Sequence, residues 1–246
     1  MAMEQPDLFN NFPGLLTEKP GMDLINGNLI DNDLIESIER IHKLSSRVYQ
    51  TITSAQMNEA LAKTDLEHYI QKLLSKACQT GSPEKSLHTR SEVEKAAFDR
   101  GDPVVRTVLD AAYKVDREIH RLMGLLRFKP RSDGIWLAYC APDNFILPVF
   151  AEHFTARFGE APWAIIDEKR ELALVRLQAK SPCLGILSSF PFLFNREHTQ
   201  DNWEELWRSY HRSINIQNRR NPALQLQFMP RRYWKYLPEL NNNPVI

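Results

Sequence analysis

The residues best suited to chemistry lie near the C-terminal end. From Leu206 to Pro238 the chain carries seven Arg/Lys side chains and no Asp or Glu. Arg208, His211 and Arg212 are spaced i, i+3, i+4, which puts them on one face if the segment is helical. Arg219-Arg220-Asn221-Pro222 follows, read as a helix end, and then Arg231-Arg232-Tyr233-Trp234-Lys235-Tyr236 after a proline. Arginine forks phosphate oxygens bidentately, and Tyr and Trp offer flat faces on which bases stack. The expected nucleic-acid contacts are Arg208, Arg212, Arg219, Arg220, Arg231, Arg232, Tyr233, Trp234 and Lys235. The plainer alternative is a solvated surface whose aromatics pack and whose arginines snorkel.

A second set consists of His120, Asp133, His153 and Asp167. His120 stands near the end of a long helical pattern with an arginine beside it. His153 and Arg157 are four apart and share a helix face, while Asp133 and Asp167 fall at a turn and a strand end. Together they would make an acid–base or metal site. Taken singly, each has a structural explanation: a helix dipole favours a C-terminal His, and Asp shapes turns.

Other chemistry is excluded by pattern. The sequence holds no GxxxxGK[ST], no GxGxxG, no GxSxG, no HExxH and no CxxC pair. The run IDNDLIE lacks the glycine an EF-hand loop needs. Cys78, Cys140 and Cys183 are widely spaced and odd in number, so no disulfide framework or zinc clamp is expected. No cofactor or structural metal is expected.

The elements that must position these residues can be read from periodicity. Residues 1–40 carry eight acidic and two basic side chains and recur in Gly, Asn, Asp and Pro, as in an irregular acidic extension. Residues 41–246 are expected to form a single α+β domain: helical over 41–124, a ββαββ unit with a small antiparallel sheet over 125–180, and a basic aromatic segment with a helix over 181–246. Thr64-Asp65-Leu66-Glu67 reads as a capping box ahead of the stripe Leu66, Tyr69, Ile70, Leu73, Leu74, Ala77. Asp102-Pro103 starts the next helix, whose stripe Val105, Val108, Leu109, Ala112, Val115, Ile119, Leu122 runs to Gly124. Two hairpins follow, turning at Asp133-Gly134 and at the charged DEKRE, with a helix capped by Asp143 between them. The run after them, SPCLGILSSFPFLFN, crosses over. Asn202 caps the last helix, whose stripe Trp203, Leu206, Trp207, Tyr210, Ile214 is expected to be buried.

At 246 residues, with 43% hydrophobic and 25% charged side chains, the composition is that of an ordinary globular protein. The longest uncharged run, Ser181 to Asn195, has 15 residues and two prolines. A spanning helix needs about 20 apolar residues, so no membrane is expected. The N-terminus shows no basic start followed by an apolar core, and a cytoplasmic location is expected. The net charge of zero hides −6 over residues 1–40 and +4 over 161–246, which points to an anionic partner for the C-terminal end.

Four segments carry a family resemblance: EIHRLMGLLRF, PRSDGIWLAYCAPDNFILPVFAEHFTARF, WAIIDEKRELAL and LWRSYHRSINIQNRRNPALQLQFMPRRYWKYLPE. In that order they resemble a bacterial family associated with DNA metabolism and DNA repair, over Lys114 to Glu239. Its central domain has no known function. Some relatives join it to a uracil-DNA-glycosylase-like domain, and the family is linked to a DNA modification or repair radical SAM protein. The resemblance implies an accessory protein that binds DNA and works with that partner. The chain has no cysteine triad for a radical SAM cluster, so that chemistry would be the partner's. Two other readings remain: a DNA-processing hydrolase (a nuclease or a glycosylase-like enzyme) built on the His/Asp set, and a protein-interaction scaffold without nucleic-acid contact.

Overall fold

The computed structural model describes residues 32–80, 87–177, 180–194 and 203–240. It is an α+β protein with helices in its N-terminal part and a five-stranded sheet in the central region. The contacts group the chain into two compact units, where the sequence suggested one domain from residue 41 onward. The first holds the residues up to Glu118 together with Asp143–Ile146, and the second holds Ile119–Pro142 and Leu147–Ile246.

The first unit is helical: α1 (Asn32–Leu44), α2 (Ser46–Gln56), α3 (Lys63–Gln79), α4 (Leu87–Ala97) and the start of α5 (Pro103–Leu125). Residues 32–40, expected to be irregular, belong to α1, and residues 1–31 lie outside the described residues. Ile41, Val48, Ile52, Tyr69, Leu73, Val93, Val105 and Val108 form one apolar core. The Asp102-Pro103 start is built as read: Asp102 Oδ1 accepts the amides of Val104 at 2.8 Å and Val105 at 3.1 Å. The Thr64 capping box does not form. The helix begins two residues earlier than the box requires, at Lys63, behind Ala62, which makes no side-chain cap bond. Glu118 is buried in this unit. It accepts the amides of Asp143 and Asn144 at 2.8 and 2.9 Å and the Asn144 side-chain amide at 2.6 Å. Asp143 therefore serves a loop tether instead of capping the next helix.

In the second unit the strands β1 (Lys129–Pro130), β2 (Trp136–Cys140), β3 (Trp163–Asp167), β4 (Leu172–Arg176) and β5 (Cys183–Ile186) lie in sequence order. Both expected hairpins form, β1–β2 and β3–β4, each antiparallel. The sheet as a whole is mixed, not antiparallel, because β2 and β3 run parallel from Trp136↔Trp163 to Cys140↔Asp167. The reason lies in the connection. A 3-10 turn at Leu147–Val149, which holds Pro148, and α6 (Phe150–Phe158) carry the chain back before β3 begins, and a crossover helix of this kind joins parallel strands. The expected crossover after β4 is also corrected: Cys183–Ile186 adds a fifth strand antiparallel to β4. Residues Leu187, Phe190 and Leu193 pack with Ile135, Leu137, Ala164 and Val175. Phe154 of α6 packs on Trp163, ring centroids 6.2 Å apart. Among the described residues no helix is long and apolar enough to cross a membrane.

Candidate nucleic-acid interface

The basic segment folds as α7 (Trp203–Ser213), a 3-10 turn (Gln217–Arg219), α8 (Pro222–Phe228) and a further 3-10 run (Arg231–Tyr236). Asn221 opens a helix where the sequence suggested an end. Its Oδ1 accepts the Leu224 amide at 3.0 Å, and Pro222 occupies the first turn, where its missing N–H costs nothing. Asn202 lies outside the described residues.

These segments line an open cleft of about 650 Å³. Arg208, His211 and Arg212 of α7, Arg219 and Arg220 of the connection, and Trp234 all line it. Thus Arg208, Arg212, Arg219, Arg220 and Trp234 of the expected set come together. Arg231 and Arg232 are exposed but do not line the cleft. Their guanidinium carbons lie 5.9 Å from the Trp234 ring centroid and 4.8 Å from that of Tyr233. Lys235 pairs with Glu168 at 2.9 Å. Tyr233 is 1% exposed and belongs to the core, so it offers no stacking face. The wall also holds Asn215, Ile216 and Gln225, which the sequence reading did not single out. Their types carry no motif, and only the cleft brings them together.

The cleft is held in place by bonds around Glu239. Its carboxylate accepts Arg127 at 2.7 Å and the Trp207 indole N–H at 3.0 Å. Burial raises the Glu239 pKa, but the hydrogen bond and charge of Arg127 outweigh it, so the carboxyl titrates below its ordinary value. Arg208 donates its Nε–H to the Pro238 carbonyl at 3.0 Å, and Lys129 pairs with Glu204. The Trp234 ring is fixed by its indole N–H, which donates to the Met229 carbonyl at 2.7 Å. Tyr236 donates its hydroxyl to Glu168 at 2.8 Å; burial first, and then that carboxylate, pushes the phenol above its ordinary range.

The stripe expected to be buried on α7 is exposed. Leu206, Trp207, Tyr210 and Ile214 show 57%, 40%, 54% and 53% of their surface, and Ile216, Leu224 and Phe228 are exposed as well. The side chain of Trp203 is outside the described residues.

Each member of the His/Asp set has its own surroundings. His120 is exposed on α5. His153 meets the Phe154 ring edge-on at 4.8 Å, and burial, then the charge of Arg157, lowers its pKa. Asp133 accepts Arg131 at 2.7 Å and the Ile135 amide at 3.2 Å, shaping the turn at Gly134, whose φ is 81°. Asp167 is fully buried at the end of β3, where it takes Arg170 Nη1 at 2.7 Å and the Lys169 amide at 2.9 Å. Among the described residues no three His, Cys, Asp or Glu side chains gather as a metal ion would require.

No curated protein and no solved structure matches this chain. A family model described as a domain of unknown function, DUF4130, matches residues 65–239, well over half the sequence, and the chain belongs to that family.

Proposed function

We propose that this protein is a cytoplasmic DNA-binding accessory of DNA repair or DNA metabolism that works with a radical SAM partner. The observation that supports DNA binding is the cleft in which Arg208, Arg212, Arg219 and Arg220 meet Trp234. Arg212, Arg219 and Arg220 around one concavity attract an anion; Arg208 is paired with Glu204 at 3.4 Å, and Glu239, the acidic side chain among the lining residues, is engaged by Arg127. Arg219 and Arg220 are exposed, so they can meet phosphate without giving up a place in the core. The process and the radical SAM partner rest on the sequence resemblance. The test is binding of fluorescent oligonucleotides to the full-length protein at low salt. Saturable binding that Arg219→Ala/Arg220→Ala weakens supports the reading. No binding, or binding untouched by that pair, refutes it.

A second reading has its own observation. The exposed apolar side chains of α7, Leu206, Trp207 and Tyr210, are more than a solvated helix needs. They favour a protein partner docking on this segment, as the scaffold reading requires. Co-purification with tagged full-length protein from its native host at mild salt tests it. Recovery of a radical SAM protein would join the two readings.

A further inference from the structure

We infer that the arginine cleft takes an unpaired nucleotide, so that the ligand is single-stranded nucleic acid; this rests on the nucleic-acid reading above. The shape of the site carries the inference. A duplex shows its base edges only inside grooves, and the major groove, about 12 Å wide, is read by an element that projects into it. Here the arginines line a concavity of about 650 Å³. That volume lies within the roughly 300–1,000 Å³ of sites that enclose small molecules. A single strand can turn one base into such a space while its phosphates stay at the arginines. A duplex would meet only the rim.

The chemistry of the wall agrees. Phosphate alone would be served by the guanidinium groups, yet the lining also holds Trp234, Ile214, Ile216 and the amides of Asn215 and Gln225. An aromatic face, apolar neighbours and amide groups suit a base, which has a flat apolar surface and a polar edge. The Trp234 ring is already oriented. Its indole N–H is bonded to the Met229 carbonyl at 2.7 Å, and Arg231 stands 5.9 Å from its centroid. A ring fixed before binding loses little freedom when a base stacks on it. With Tyr233 in the core, Trp234 is the aromatic of the RRYWKY run that the cleft presents.

The experiment compares a fluorescent oligothymidine with a duplex of mixed sequence and equal length, by anisotropy, on the full-length protein at one low salt concentration. The single strand is expected to bind at least about ten-fold more tightly. Trp234→Ala should weaken the single strand by roughly ten-fold, the scale of one stacked base, and Trp234→Phe should restore most of that affinity. Duplex binding should be unchanged by either. Trp234→Phe keeps a ring in the wall and guards against loss of fold, and thermal melting is recorded beside each titration. Duplex binding equal to or tighter than single-strand binding would overturn the inference while leaving the nucleic-acid reading in place. Equal losses on both ligands in a folded Trp234→Ala protein would do the same. Binding of neither ligand would overturn both.

Discussion

The indole N–H of Trp207 donates to Glu239 Oε2 at 3.0 Å, while Glu239 Oε1 takes Arg127 at 2.7 Å. One buried carboxylate thus ties α7, the segment that follows α5 and the C-terminal segment around the cleft. The Arg127 guanidinium also lies 5.8 Å from the Trp207 ring centroid. This clamp explains how a helix with exposed apolar side chains keeps its arginines on the cleft wall.

Glu239→Gln should cost about 2 kcal/mol at neutral pH, the scale of a hydrogen bond to a charged group. The pH dependence has a defined sign. The folded-state pKa is lowered, so the stabilisation is complete above the unfolded value of about 4.3 and is lost as pH falls through the depressed folded value. Urea titrations of both proteins at neutral and acidic pH should therefore converge in acid. A constant gap between them would contradict the clamp.

His153 predicts a second pH effect. Its folded-state pKa is lowered, by burial first and then by Arg157. The neutral ring is the form the fold accepts. Its contribution is complete above the unfolded value of about 6.5 and is lost as pH falls below it. His153→Gln should flatten the drop in melting temperature between about pH 7 and pH 5. An unchanged profile would remove His153 from the account.

Asp167 is expected to be structural. Its carboxylate is fully buried and bonded to Arg170 and two backbone amides. Asp167→Ala should cost about 3 kcal/mol by stranding Arg170, with oligonucleotide affinity unchanged in the protein that remains folded. Loss of binding without loss of stability would give Asp167 a place in the site.

The exposed stripe of α7 gives a fourth expectation. Leu206→Ser and Tyr210→Ser should leave stability within about 0.5 kcal/mol, since both side chains are exposed. They should reduce co-purification of a protein partner. A loss of several kcal/mol would mean that these side chains are covered in the folded chain.

Much of the fold was legible because local signals sufficed. Asp102-Pro103 sets a helix start, and Asp133-Gly134 and the run Glu168–Glu171 set turns between strands. Strand direction across the sheet was not legible. The pattern of β2 and β3 names strands, but their parallel pairing depends on how α6 returns the chain. The periodicity of α7 named an apolar stripe but did not tell that Leu206 and Tyr210 stay exposed or that Ile214 joins the arginines at the cleft. The seating of α7 depends on partners remote in sequence, Glu239 for Trp207 and the Pro238 carbonyl for Arg208. For the site, the arginines and Trp234 were recognisable by type, whereas Asn215 and Gln225 became visible only through the cleft. Tyr233 and Trp234 are adjacent and chemically alike, yet one is core and the other wall, a distinction set by the 3-10 run that carries them.

The most direct test of the central claim is the salt dependence of oligonucleotide binding. Each phosphate contact releases condensed counterions and contributes about 0.9 to the log–log slope for duplex DNA and about 0.7 for single strands. Arg219→Ala/Arg220→Ala should melt like the parent protein, bind more weakly, and flatten the single-strand slope by about 1.4. If the folded double variant keeps both the affinity and the salt slope of the parent, these arginines do not hold nucleic acid, and the cleft has another purpose.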